Sequence, residues 1–241
     1  TLTLSIFGTS HGPSVGMMLS GFPTGTVVEI PKLNDFMARR APGNSALSTS
    51  RKEPDQPEFV SGFIGIHVGE AESAMTASTQ SLTTNGAEIK AIIYNKDVRS
   101  SDYSKLASTP RPGHADYTAH VKYGGEADSR GGGAFSGRMT APLCIAGGIC
   151  KQLLEYKGIY VNASIHGNSD EPLSEIKKAQ MLRDSVGGTI SCTISGLAAG
   201  YGGPLFEGLE GRISEALYAI PAVKGVEFGA GFKSAIIYGS E

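Results

Sequence analysis

The chain has 241 residues, 40% hydrophobic and 18% charged, enough to bury a core in one large domain or two small ones. Its formal net charge of −2 excludes a global basic field for nucleic acid or membrane, so any anion site must be local. No apolar run approaches the ~20 residues of a membrane helix, and the opening TLTLSIFGTSHG lacks the basic and apolar regions of a secretory signal.

In chain order, a first strand is expected over residues 2–6, paired with a second over 15–21. Between them Gly8-Thr9-Ser10-His11-Gly12-Pro13 reads as a loop. Residues 31–41 carry Leu33, Phe36 and Met37 at helical spacing and end in Arg39-Arg40 before Ala41-Pro42-Gly43, which suits a helix C-terminus. Residues 44–56 are polar and loop-like, and 58–64 and 89–95 read as strands. Residues 69–86 are small and polar, a mobile loop or a short helix, and 96–113 is a polar segment long enough to be functional or disordered. The next helix is expected over 136–156, with Pro142 tolerable in its first turn. Then come a strand at 160–165, a helix at 173–183, an alternating strand at 189–197 and a turn at 200–203. A helix at 212–220 and one or two strands within 224–238 complete the chain. Strands and helices mix without a regular βαβ beat, so the fold class is α+β. The odd set Cys144, Cys150 and Cys192 lies in apolar surroundings without metal spacing, which reads as buried thiols in a reducing, cytoplasmic setting; no metal is expected.

The chemistry concentrates between Pro110 and Arg138, where three arginines, two histidines and seven glycines share 29 residues. His11, flanked by Ser10 and Gly12 on a loop, can face a ligand and titrates near neutrality; by itself it could equally be an exposed loop residue. His114 lies in Arg111-Pro112-Gly113-His114-Ala115-Asp116, where a rigid turn sets a cation and a carboxylate beside an imidazole. Asp116 could cap the helix that follows or hold that ring. His67, His120 and His166 lack such company and read as structural or surface residues. Arg39, Arg40, Arg51, Arg111, Arg130 and Arg138 flank loops, and their guanidinium forks suit phosphate and carboxylate. Gly131-Gly132-Gly133 leads toward a helix N-terminus, a place that binds anions, although it matches no complete phosphate-loop motif.

These segments together resemble chorismate synthase in order and spacing. The resemblance runs through Gly8-Thr9-Ser10-His11-Gly12, the Arg39-Arg40 turn, Asn95-Lys96-Asp97, and Arg99-Ser100-Ser101-Asp102-Tyr103. It continues in Arg111 to Tyr117, Lys122-Tyr123-Gly124, Arg130 to Gly133, Asp184-Ser185-Val186-Gly187-Gly188, and Ile220 to Gly229. It implies a β-α-β sandwich, here as a single family-like domain over 1–241 lacking the C-terminal part, and a homotetramer. It also implies conversion of the small molecule 5-enolpyruvylshikimate 3-phosphate into chorismate by anti-1,4-elimination of phosphate. That reaction, the last common step of the shikimate pathway, needs reduced FMN, and some members reduce the flavin themselves with NADPH. His11 and His114 match the family's catalytic histidines, one serving the flavin and one the departing phosphate. Ser10, Arg39, Arg40, Arg51, Arg111 and Arg138 match its substrate-binding positions, and Arg40, Ala134, Phe135 and Ser136 its flavin-binding positions.

The chain departs from the family's usual pattern at Thr9 (usually Glu), at Ala46 (usually basic) and at Ala134 and Phe135 (usually Arg and Ser). These departures keep an alternative open: a catalytically impaired, anion-binding relative of the same family. A nucleic-acid binder is disfavoured by the charge balance and the 7% aromatic content. The segments 45–51, 69–82 and 96–112 are expected to be mobile without ligand.

Overall fold

The computed structural model describes residues 1–42, 51, 53–66, 79–97, 109–128, 130–166 and 172–240. The strands are β1 (Thr3–Gly8), β2 (Ser14–Ser20), β3 (Val27–Glu29), β4 (Glu58–Ser61), β5 (Ser81–Thr83), β6 (Ile89–Tyr94), β7 (Tyr160–His166) and β8 (Thr189–Ser195). The helices are α1 (Ile30–Arg40), α2 (Asp116–Lys122), α3 (Thr140–Tyr156), α4 (Pro172–Met181) and α5 (Leu209–Tyr218).

Period-two alternation builds the main sheet. Val15, Met17 and Leu19 of β2 are buried, and so are Ile89, Ala91 and Ile93 of β6. Antiparallel pairing puts Val15 opposite Ile93 and Leu19 opposite Ile89, so both apolar sets share one face. The strand order is β1-β2-β6-β4. On the other face the Phe7 ring lies over Gly16, where any Cβ would collide with it.

Helices α1 and α3 cover the apolar face. Pro31 occupies the first turn of α1, where its missing N–H is harmless. Leu33 and Met37, one turn apart, are buried against α3, which contributes Ala141, Ile145 and Ile149 at matching intervals. Gly148 lets the two helices close, since a Cβ there would lie 2.6 Å from Leu33 Cδ1 and 3.0 Å from Phe36 Cδ1. Each fully buried Leu, Ile or Met in this layer contributes about 1.5–3 kcal/mol.

The expected pairing of the first two strands, the first helix and the long later helix are all present, with shifted ends. Strand β4 stops at Ser61 because Gly62 turns with φ +93°. Helix α3 begins at Thr140, not 136: Ser136 instead caps a short 3-10 turn, Gly137–Met139, accepting a hydrogen bond from the Arg138 amide. Two short strands, β3 and β5, pair with each other, and β5 falls within the stretch expected to be loop or helix.

The chain divides into two compact units, Thr1–Gly196 and Leu197–Glu241. The first includes the antiparallel β7–β8 hairpin. The second holds α5 and 3-10 turns at Leu205–Glu207 and Gly231–Ala235, and none of its described residues is buried. The strands expected within 224–238 do not form: Gly229 and Gly231 take φ +58° and +53°, incompatible with extended pairing. The cysteine expectation also needs correction, because Cys192 on β8 is exposed while Cys144 and Cys150 are half-buried. His67 and Ala46, and most of the segments expected to be mobile, lie outside the described residues.

Candidate active site

The loop between β1 and β2 is locked from three sides. Gly8 leaves β1 at φ +93°. Asn95, just past β6, donates from Nδ2 to the carbonyls of Thr9 at 3.2 Å and Gly12 at 2.8 Å. The Ser10 amide donates to the Gly133 carbonyl at 3.2 Å. Ser10 and His11 are consequently buried, His11 at 9% exposure. The imidazole lies against the backbone of Gly131, where a Cβ would collide with the ring. Gly131, Gly132 and Gly133 all take positive φ, so the run serves as a close-approach surface for His11.

Two buried carboxylates organise the arginines beside this loop. Glu53 accepts from Arg51 Nε at 3.0 Å and Nη2 at 2.8 Å, and from the amides of Lys96 and Asp97. So held, Arg51 Nη1 donates to the carbonyl and Oγ of Ser10, each at 3.2 Å. Asp55, fully buried and in the left-handed region at φ 49°, bridges Arg40 and Arg138. Asx residues tolerate that backbone best, and such outliers persist where surrounding contacts over-determine them. Arg138 also donates from Nε to Asn95 Oδ1 at 3.0 Å, while its buried Nη2 has no hydrogen-bond partner among the described residues. Arg40 reaches Thr140 Oγ1 and the Gly137 carbonyl.

The 111–116 turn approaches from another side. Asp116 accepts from the Arg111 amide, Nε and Nη2 at 3.0, 2.8 and 3.0 Å. Its carboxylate therefore serves Arg111, in place of the expected helix cap or hold on the ring. His114 is exposed, with Nδ1 3.2 Å from the Pro112 carbonyl. Arg111 lies about a van der Waals contact from the position of a Cβ on Gly132, next to the glycine that touches His11. A cavity of about 740 Å³ lies beside the turn and the triglycine loop; Thr9, Asp116, His120, Tyr123, Gly132 and Phe135 are among its walls. Ala134 and Phe135 are exposed at its edge, with Phe135 tilted 6.4 Å from the Tyr123 ring. Arg39 is exposed at the end of α1.

Burial lowers the affinity of His11 for a proton, and the cations Arg51 and Arg130 lower it further, against an opposing pull from Asp128. Burial pushes the Glu53 carboxyl up, but the Lys96 and Asp97 amides, Arg51 and Arg138 outweigh it, and the group titrates below the usual range. The Arg111 side chain holds Asp116 down at about 2. Burial raises the thiols of Cys144 and Cys150, which stay protonated and inert.

The structure thus brings together Ser10, His11, Arg40, Arg51, Arg138 and the Arg111–His114 turn, with Phe135 and Ser136 alongside. The residues not found from sequence are Glu53, Asp55 and Asp128. Glu53-Pro54-Asp55 looked like an unremarkable polar stretch; its only signal was two acids spaced to serve neighbouring arginines.

Comparison with known proteins gives one answer. A family model described as chorismate synthase matches residues 2–241. Proteins named chorismate synthase from Thermococcus gammatolerans and Thermococcus kodakarensis are 39% and 40% identical, each over 100% of this chain and 70% of their own length. One from Chitinophaga pinensis is 41% identical over 99% of this chain and 67% of its own. A crystal structure of chorismate synthase superposes with a TM-score of 0.71 at 22% identity, over 99% of this chain and 72% of that one, a likeness of fold.

Proposed function

The chain belongs to the chorismate synthase family, and on that premise we propose how its own residues serve the reaction. The activity is that of chorismate synthase: 5-enolpyruvylshikimate 3-phosphate loses phosphate and a ring hydrogen in an anti-1,4-elimination, giving chorismate. In class it is a carbon–oxygen lyase acting on a phosphate ester. Both compact units are read as parts of one functional domain.

The observation that carries the assignment of roles is the seating of His11 on Gly131 beside Ser10 and Arg51, close to Thr9 and Gly132, which line a cavity that Asp116 also borders. Breaking the C–O bond moves an electron pair onto the departing phosphate, so fixed cations and a proton donor lower the barrier. Arg40, Arg51, Arg111 and Arg138 are held in place by carboxylates before substrate arrives, which limits the reorganisation that binding requires. Arg138 keeps a buried donor, Nη2, for an anionic oxygen. Substrate anions beside Arg51 and Arg130 would offset two of the charges that depress His11, leaving the effect of burial. His11 and His114 divide the two proton deliveries, to the flavin and to the phosphate; Arg39 guards the outer rim.

The residues present fit reduced FMN. The cavity falls within the size range of small-molecule sites, and the Phe135 and Tyr123 rings, tilted 49° to each other, give it aromatic lining. Arg40, Phe135, Ser136 and the backbone at Ala134 would hold the cofactor, which when bound lends an electron to the substrate transiently; NADPH is the reductant if the protein reduces its own flavin. A homotetramer is supported by exposed apolar residues at β1 (Leu4 and Ile6, with Leu2 just before it) and on the β7–β8 pair (Ile165, Ile190, Ile194). No helix among the described residues is long and apolar enough to cross a membrane. Free, unpaired cysteines suit the cytoplasm.

Titration of the purified protein with reduced FMN under nitrogen, followed by substrate, tests the reading. Flavin binding with phosphate release supports it. Substrate binding with neither flavin retained nor phosphate released would instead identify an impaired anion-binding relative.

A further inference from the structure

Asp128 is a carboxylate that the reading above does not use. Its Oδ2 accepts from the Thr9 hydroxyl at 2.9 Å, two residues before His11. The same carboxylate accepts from Arg130 through its amide at 3.2 Å, Nε at 2.8 Å and Nη2 at 3.0 Å. Thr9 and His11 belong to one loop, Arg130 and Gly131 to another, and His11 is pressed between them. Gly133 shows how tightly the second loop is folded back: a Cβ there would collide with the Asp128 carbonyl.

We propose that Asp128 is a positioning residue for the reaction of this site: it ties the His11 loop to the triglycine loop through Thr9, and it holds the Arg130 cation while supplying the negative charge that faces the His11 ring. The proposal rests on the reading of His11 as a proton donor. The charged groups facing His11 are Arg51 from the 51–57 segment and Arg130 and Asp128 from the triglycine loop. Two of the three disfavour a protonated ring, and Asp128 opposes them. Thr9 has no charge and donates its hydroxyl hydrogen to the carboxylate. The Thr9–Asp128 pair is thus a coherent local solution of this chain.

Two functions of Asp128 separate experimentally. Asp128→Asn keeps the shape and an acceptor for Thr9 but removes the charge and loosens Arg130. Thr9→Val keeps the charge and removes the tie. Asp128 retains about a fifth of its side-chain exposure, at 22%, so the isosteric change leaves the core intact. In histidine NMR titrations of the purified protein, the His11 midpoint in Asp128→Asn should fall by about 0.5 to 1 pH unit relative to the parent. In Thr9→Val it should stay within about 0.2. Asp128→Glu, which returns the charge, should recover most of the shift. In phosphate-release assays, Asp128→Asn should lose roughly tenfold or more in kcat/KM at pH 7.5, with its pH profile moved to lower pH; Thr9→Val should lose kcat with the profile in place. A His11 midpoint unchanged in Asp128→Asn overturns the proposal. If the parent releases no phosphate, the functional reading fails, while the NMR titrations still decide whether Asp128 governs His11.

Discussion

At His11, burial, charge and one missing Cβ fix an imidazole against the Gly131 backbone. Replacing Gly131 by Ala inserts a Cβ into the imidazole at φ +58°. Gly131 is half-buried, so circular dichroism first establishes that the variant folds; displacement of the ring by about 1 Å should then reduce kcat roughly 100-fold. Steady-state kinetics on the folded variant check this. His11→Ala and His114→Ala should each slow turnover by roughly ten- to ten-thousandfold, the span of lost acid–base help. At this scale the sequence was informative about cations and imidazoles and nearly silent about anions. Ser10, His11 and Arg138 announce themselves by type and nearby glycines, and Arg51 by type alone. Glu53, Asp55 and Asp128 become visible only when folding places them against arginines, because a carboxylate in a polar stretch has no local pattern of its own.

At the scale of elements, the site depends on how closely α1 and α3 pack. Arg40 ends α1, and Arg138 and Thr140 begin the α3 turn, so the Arg40–Asp55–Arg138 bridge inherits the helix spacing. Gly148→Val would overfill the contact with Leu33 and Phe36 and should cost about 1–3 kcal/mol in urea unfolding. Ile145→Ala, in the same layer, should cost about 2–5 kcal/mol through its cavity. Strand β2 and helices α1 and α3 were legible because each repeats its buried residues at a fixed period over two or more turns or pleats. The β3–β5 ribbon was not, since three residues per strand hold no period. The strands expected after residue 224 were suggested by apolar content, which the glycine conformations override.

For the molecule as a whole, acid stability follows from its paired carboxylates. Glu53, Asp116 and Asp128 all titrate below their reference values of 4.5, 3.8 and 3.8. Groups lowered on folding stabilise the native state fully above the reference value, and that contribution disappears as pH falls through the folded one. The unfolding free energy should therefore drop steeply below pH 4, with the Asp116 contribution persisting to about pH 2. His11, also lowered, adds a shallower loss beginning nearer its reference value of 6.5, where the unfolded chain takes the proton first. Urea unfolding across pH 2–8 checks both steps, and Asp116→Asn should remove the lowest.

On the proposed reading, guanidinium groups and the imidazoles of His11 and His114 serve the departure of phosphate. The most direct test supplies the purified protein with 5-enolpyruvylshikimate 3-phosphate and chemically reduced FMN under nitrogen, and follows phosphate and chorismate together. The two products should appear one for one, and with oxidised FMN neither should form. Substrate left intact in the presence of bound, reduced flavin would contradict the account.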